Sequence, residues 1–287
     1  MEMQNTIKSE AAISGIALHT GVRIHLRMKP APENTGIVFR RTDMPGAPEV
    51  RAYAPNVIDV RRATTIAAPS KAYVVTVEHI MAAFHAAGVD NAYVEMDNAE
   101  PPVADGSAGP YFKMIKEAGI QEQNAPAQFW TTDVPLYVEN GATSMVVLPS
   151  DTFKISCTVA FGETALDTQF YSLEVTPENF EKELGPCRTF VAYRDLAQLI
   201  AAGLAKGGSL DNAVILHDGA IISNDGLRFL LDDMSVTANN TTYTSDAVKA
   251  GIQAGNKAYY NAGTNNELTQ TEMDTIISYA NDKGIGI

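Results

Sequence analysis

The chain has 287 residues, 45% of them hydrophobic and 19% charged, with a formal net charge of −13. That length holds one large domain or two medium ones, and the composition is that of an ordinary globular protein. The negative charge argues against a general affinity for nucleic acid or an anionic membrane surface, so neither is expected as a partner. The opening segment, MEMQNTIKSEAAISG, lacks the apolar core of a signal peptide, and no apolar run approaches transmembrane length. A cytoplasmic protein is predicted, and a monomer. Its two cysteines, Cys157 and Cys187, form no CxxC spacing, which fits a reduced compartment and indicates neither a zinc ribbon nor a redox motif.

In chain order, VRIHLRMKPA (22–31) alternates as a half-buried strand does, and NTGIVFRRTD (34–43) is a second strand entered through a turn. KAYVV (71–75) is β-rich. Thr76 is then placed to cap a helix over 77–87, whose Ile80, Ala83, Phe84 and Ala87 recur at helical spacing, with Gly88 ending it. DNAYVEMDN is a strand, AEPPVADGSAGP is rich in turn residues, and YFKMIKEAGI is a helix ending at Gly119. QEQNAPAQ (121–128), polar and containing a proline, reads as a linker.

A second strand-rich block follows in WTTDVPLYVEN, GATSMVVLPS and TFKISCTVAF. A helical YRDLAQLIAAG and a buried strand, NAVILHDG, come later. Two halves of similar size and order suggest an internal duplication without a residue-level repeat. The fold class is α+β, with two similar two-layer domains of sheet and helices.

Glu78 and His79 fall in the opening turn of the predicted helix, where the helix dipole favours a carboxylate. By themselves they fit either a polar first turn or a zinc ligand beside a base. No second ligand follows on the same helix, because the position four after His79 is Ala83. His85 points to another face, as a surface or packing residue.

Four stretches resolve that choice: SGIALHTGVRIHLRMKPAPENTGIVFRRTD, TVEHIMAAFHAAGVDNAYVEMDNAEPPVADGSAGPY, CRTFVAYRDL and GGSLDNAVILHDGAIISNDGLRF. Together, over about residues 5–229, they resemble the UDP-3-O-acyl-N-acetylglucosamine deacetylases, the zinc amidases of the committed step of lipid A synthesis. The resemblance implies a UDP-linked acylated amino sugar as substrate and Zn2+ as cofactor. It makes His79 a zinc ligand and Glu78 the general base that takes a proton from the water attacking the acetamide. Thr189 becomes a donor to the oxyanion, Phe190 a wall of the acyl-chain passage, and His19 a substrate-side histidine. The chemistry suits these residue types: zinc brings the pKa of water to about 7, and a carboxylate can take its proton.

The family's remaining metal ligands are expected in an H-K-x-x-D helix after NDGLRF, where this chain has no histidine beyond His217. Asp232 and Asp233 lie nearby and read as solvated acids at a strand end. Residues 224–287 instead resemble an early β/α segment of substrate-assisted hexosaminidases. Thr269 and Glu272 form a capping box there, and Gly284 closes the helix. The Asp-Glu pair such glycosidases use does not appear. The expected organisation is a deacetylase-like domain at 1–122, a truncated second one at 123–229 and a foreign α/β tail at 230–287, joined at NDGLRF. An impaired zinc deacetylase is the leading reading. A non-catalytic nucleotide-sugar-binding or chimeric protein is the alternative, and a glycosidase fragment ranks below both.

Overall fold

The computed structural model describes residues 2–160, 168–217, 220–223, 226–229, 235–238 and 241–244. The predicted tail helix, Asp232 and Asp233 lie outside them.

The alternation in the first strands is answered by burial. In β3 (Arg23–Pro30), Ile24, Leu26 and Met28 are buried while the residues between them face solvent. This strand lies in a five-stranded sheet ordered β2 (Ala11–Ile16), β3, β9 (Ala92–Met96), β4 (Ile37–Arg41) and β5 (Glu49–Arg51). All neighbours are antiparallel except β4 and β9. Their parallel pairing requires a crossover, which runs through a small sheet of β6 (Val57–Asp59), β7 (Thr65–Ala67) and β8 (Tyr73–Val74) and then α1 (Glu78–Ala86).

Two helices cover this sheet. α1 turns Ile80, Ala83 and Phe84 inward, and α2 (Gly109–Ala118) contributes Tyr111, Phe112, Ile115 and Ala118. Both end as expected at a glycine with positive φ, Gly88 at 68° and Gly119 at 78°. The start of α1 differs from expectation. Val77 holds the N-cap position and no side chain caps the helix. Thr76 instead turns its hydroxyl to the buried Glu100 carboxylate, at 3.0 Å. The stretch read as a linker is also a strand: β10 (Ile120–Pro126) pairs antiparallel with β1 (Met3–Ile7). As a mostly exposed edge it needs little apolar sequence, and only Ala125 is buried.

The second block begins with two hairpins, β11 (Leu136–Asn140) with β12 (Thr143–Val147) and β13 (Lys154–Ala160) with β14 (Thr168–Glu174). His85 is exposed, as read, and meets Phe153 edge-on at 4.9 Å. A short helix, α3 (Pro177–Asn179), runs into a wider turn at Phe180–Leu184, and Phe180 joins the first block's core against Phe112. Next, β15 (Phe190–Ala192) and β16 (Val214–His217) pair in parallel across α4 (Tyr193–Ala201). A parallel pair with a helix in its crossover thus recurs in both blocks. β17 (Ala220–Ser223) and β18 (Gly226–Phe229) extend the sheet antiparallel, and β19 (Ser235–Ala238) pairs with β20 (Thr241–Thr244).

Every residue of β11 and β12 is exposed, Tyr137, Val138 and Met145 each by more than 60%. A two-stranded hairpin open on both faces is marginally stable. Hydrogen exchange on the full chain is therefore expected to be orders of magnitude faster at 136–147 than at 23–30. Equal protection in the two segments would show that some further surface covers the hairpin.

Candidate active site

Glu78 and His79 occupy the first two positions of α1, both half-buried. Glu78 Oε2 accepts the Thr64 N–H at 3.0 Å, and the Thr64 carbonyl accepts the Val77 N–H at 3.4 Å. The segment entering β7 is thereby clamped to the start of α1. Glu78 Oε1 makes no hydrogen bond or ion pair among the described residues, so one carboxylate oxygen is held and the other is open.

The segment ahead of them is under strain. Thr76 has φ of 58°, a left-handed backbone that a β-branched residue adopts at a cost of about 1–3 kcal/mol. Its hydroxyl bond to Glu100 helps hold it there. Glu100 is fully buried, and also accepts the N–H groups of His19 and Thr20, each at 2.9 Å. One carboxylate therefore fixes the His19 loop beside the strand that delivers Glu78 and His79. Three donors are the compensation that a carboxylate out of water requires.

The segment carrying Glu100 holds more than this. Ala17 bridges Pro102, and the Val103 N–H donates to the Ile16 carbonyl. Farther on, the Gly106 carbonyl accepts the Thr189 N–H at 2.7 Å, and the Asp105 carbonyl accepts from Arg188 Nε at 2.8 Å. Thr189 is anchored on its other side by the Val214 N–H, at 3.0 Å, and its hydroxyl makes no hydrogen bond among the described residues. Phe190, next in the chain, opens β15 with 44% of its surface exposed. Loop 99–107 thus ties His19, Thr189 and the Glu78–His79 pair into one frame, although no hydrogen bond joins those side chains directly.

Where the two blocks meet, backbone touches backbone. A Cβ at Gly106 would lie 1.8 Å from the Asn212 carbonyl oxygen, and one at Gly207 would lie 2.1 Å from that of Ala17. Neither position can accept even a methyl group without backbone movement. Beneath the loop, the Tyr111 hydroxyl donates to the Pro102 carbonyl. Burial first, then the charge of Glu100, pushes that hydroxyl well above the usual phenol range.

The described residues do not fit a complete zinc site. No three His, Cys, Asp or Glu side chains gather among them. His79 offers one imidazole, while His19 Nδ1 already accepts the Ala205 N–H at 3.4 Å. Sequence reading missed Thr64, Glu100, Asp105 and Arg188. The available signal was a single acid set between Ala99 and two prolines, where turn chemistry alone gives an acid no role.

Glu100→Ala takes the acceptor from the buried Thr76 hydroxyl, at about 1–3 kcal/mol, and from the partly exposed His19 and Thr20 N–H groups, which water can reach at less cost. The unfolding free energy in urea is expected to fall by about 2–3 kcal/mol, most of it from the buried hydroxyl. A loss below about 1 kcal/mol would mean that those donors find other partners.

The sequence matches the family of UDP-3-O-acyl N-acetylglycosamine deacetylases over residues 4–233. It is similar to the UDP-3-O-acyl-N-acetylglucosamine deacetylase of Citrifermentans bemidjiense, 37% identical over 268 residues, which cover 90% of this chain and 88% of that protein. The enzyme of that name in Pseudomonas entomophila is 40% identical over 230 residues, 79% of this chain and 76% of the relative. Its counterpart in Myxococcus xanthus is 39% identical over 226 residues, 79% of this chain and 72% of the relative.

Proposed function

The chain belongs to the UDP-3-O-acyl N-acetylglycosamine deacetylase family, and we propose that its site serves deacetylation of a UDP-linked, 3-O-acylated N-acetylglucosamine in lipid A synthesis. In the same proposal the reaction depends on zinc, and turnover is held low by a missing part of the metal site. Cytoplasmic residence and a monomeric state belong with it.

The observation that carries this reading is the common frame of loop 99–107, which fixes the His19 loop, the approach to Glu78 and His79, and the Thr189 backbone. In that frame Glu78 Oε1 is open to take a proton from the attacking water, while the Thr64 N–H keeps the carboxylate from rotating. The uncommitted Thr189 hydroxyl supplies a donor where negative charge develops on the carbonyl oxygen. Phe190 presents apolar surface to an acyl chain.

A non-catalytic, nucleotide-sugar-binding protein is the second reading. It is favoured by a sequence without histidine beyond His217 and by the engagement of the His19 lone pair. Incubation with the acylated nucleotide sugar, followed by acetate release and zinc content, separates the two. Tightly held zinc with measurable acetate release supports the enzyme, and neither with intact UDP binding supports the binding protein.

A further inference from the structure

The two blocks are tied together in unlike ways. One tie is loop 99–107 with the main-chain contacts at Gly106 and Gly207, where there is no slack. Another is an ion pair between side chains. Arg62, in the loop between β6 and β7, donates from Nη2 to Asp195 Oδ2 in the first turn of α4, at 3.2 Å. Each partner lies close in the chain to a group the site uses. Thr64, whose N–H holds Glu78, comes two residues after Arg62, and Thr189 and Phe190 shortly precede Asp195. The pair therefore spans from the segment that clamps Glu78 to the segment that carries Thr189 and Phe190.

Its ends are firm and its middle is weak. Arg61 is taken by Asp59 of its own hairpin, at 2.8 and 3.0 Å, which leaves Arg62 as the cation that reaches α4. Behind Arg62, Ala63 is buried and Thr64 is bonded to Glu78. The pair itself is open to water and salt, with the Arg62 side chain 51% exposed and that of Asp195 34%. An ion pair so exposed biases an equilibrium by about fivefold or less. Arg62 also has φ of 64°, a left-handed backbone that a residue other than glycine enters at a cost. A weak fastening between two firmly held parts, set against a local backbone preference, opens easily.

We propose that Arg62 and Asp195 form a latch between the two walls of the site, with the Gly106–Gly207 seam as its fixed side, and that the latch opens to admit the acylated substrate. Both are positioning residues. Closed, they set α4 and the strand before it against the loop that clamps Glu78. Open, they leave the acyl chain a way to Phe190. The identity of the admitted ligand rests on the deacetylase reading, whereas the latch does not.

The test uses the full chain, amide hydrogen exchange at residues 61–63 and stopped-flow association of the acylated nucleotide sugar. Asp195→Asn is expected to speed that exchange about two- to fivefold and to raise the association rate by a similar factor. Raising NaCl from about 0.1 to about 1 M, which cuts the screening length from about 10 to about 3 Å, is expected to speed exchange in the native chain in the same way. Thr64, on the firm side, keeps its exchange rate. Arg62→Asp combined with Asp195→Arg re-forms the pair with its charges inverted and is expected to restore native behaviour, which a variant merely damaged in folding would not. Exchange at 61–63 that ignores both Asp195→Asn and salt overturns the latch, as does an inverted pair that behaves like the single variant. Arg62→Gln that weakens UDP binding while Asp195→Asn leaves it unchanged makes Arg62 a ligand contact and overturns the latch too. The two readings fail separately. A latch that responds in a chain unable to bind the acylated nucleotide sugar sinks the deacetylase reading alone, and association untouched by these variants sinks the latch alone.

Discussion

Placing an H-K-x-x-D segment and its following family sequence after Phe229 is expected to raise deacetylation about a thousandfold over the native chain. Zinc content should rise with it to about one per chain. A catalytic zinc ordinarily has three protein ligands and one position left open. On the proposed reading His79 is the one imidazole at the site that binds the metal, and no histidine follows His217. The same reading reserves Glu78 as the base, and the His19 lone pair is engaged by Ala205. Metal activation is worth several kcal/mol, and each 1.36 kcal/mol is tenfold in rate, hence the thousandfold. The comparison is made by acetate release and metal analysis on both chains. A native chain that already turns over near the restored rate would mean a replacement ligand set exists, with Asp232 and Asp233 the first residues to change.

Within that restored chain, Glu78→Ala is expected to lower kcat by about 10²–10⁴-fold with little effect on KM, because proton transfer is lost while substrate contacts remain. Glu78 also accepts the Thr64 N–H, so alanine removes a clamp together with a base. Glu78→Gln separates the two roles. The amide oxygen still accepts from Thr64, but the side chain can no longer take a proton. Equal losses in both variants assign the effect to proton transfer. Glutamine retaining most of the activity would make Glu78 a positioning residue and leave the base to be found elsewhere.

What could be read from the sequence follows from how each segment is buried. β3 was legible because one face alone is buried, which forces alternation onto the residues. The helix ends were legible because Gly88 and Gly119 take positive φ, a local requirement that leaves a local sign. β10 was not, since an edge strand open to water needs no apolar pattern and its proline and glutamines resemble a linker. Thr76 misled because a threonine ahead of a helix usually caps it. A buried carboxylate 24 residues along competes for the same hydroxyl. Glu100 left a sign in its setting between Ala99 and two prolines, but its role was unreadable, as its other partners lie 80 and 81 residues away and no periodicity connects them. The roles of Glu78, His79 and Thr189 came from resemblance, since no spacing in the chain announces them.

The seam at Gly106 and Gly207 has a consequence for how such a chain can diverge. Both contacts are made by main chain against main chain, so the seam registers the lengths of the loops that bring the strands there. Away from the side chains that cross between the halves, such as Phe180 and Arg188, point changes can accumulate in either half without being felt at this seam, provided that the two glycines stay. A single-residue insertion between Ala17 and Glu100, or between Thr189 and Gly207, would displace the carbonyls by a whole residue step. The frame around the site is thus tolerant of spelling and intolerant of counting.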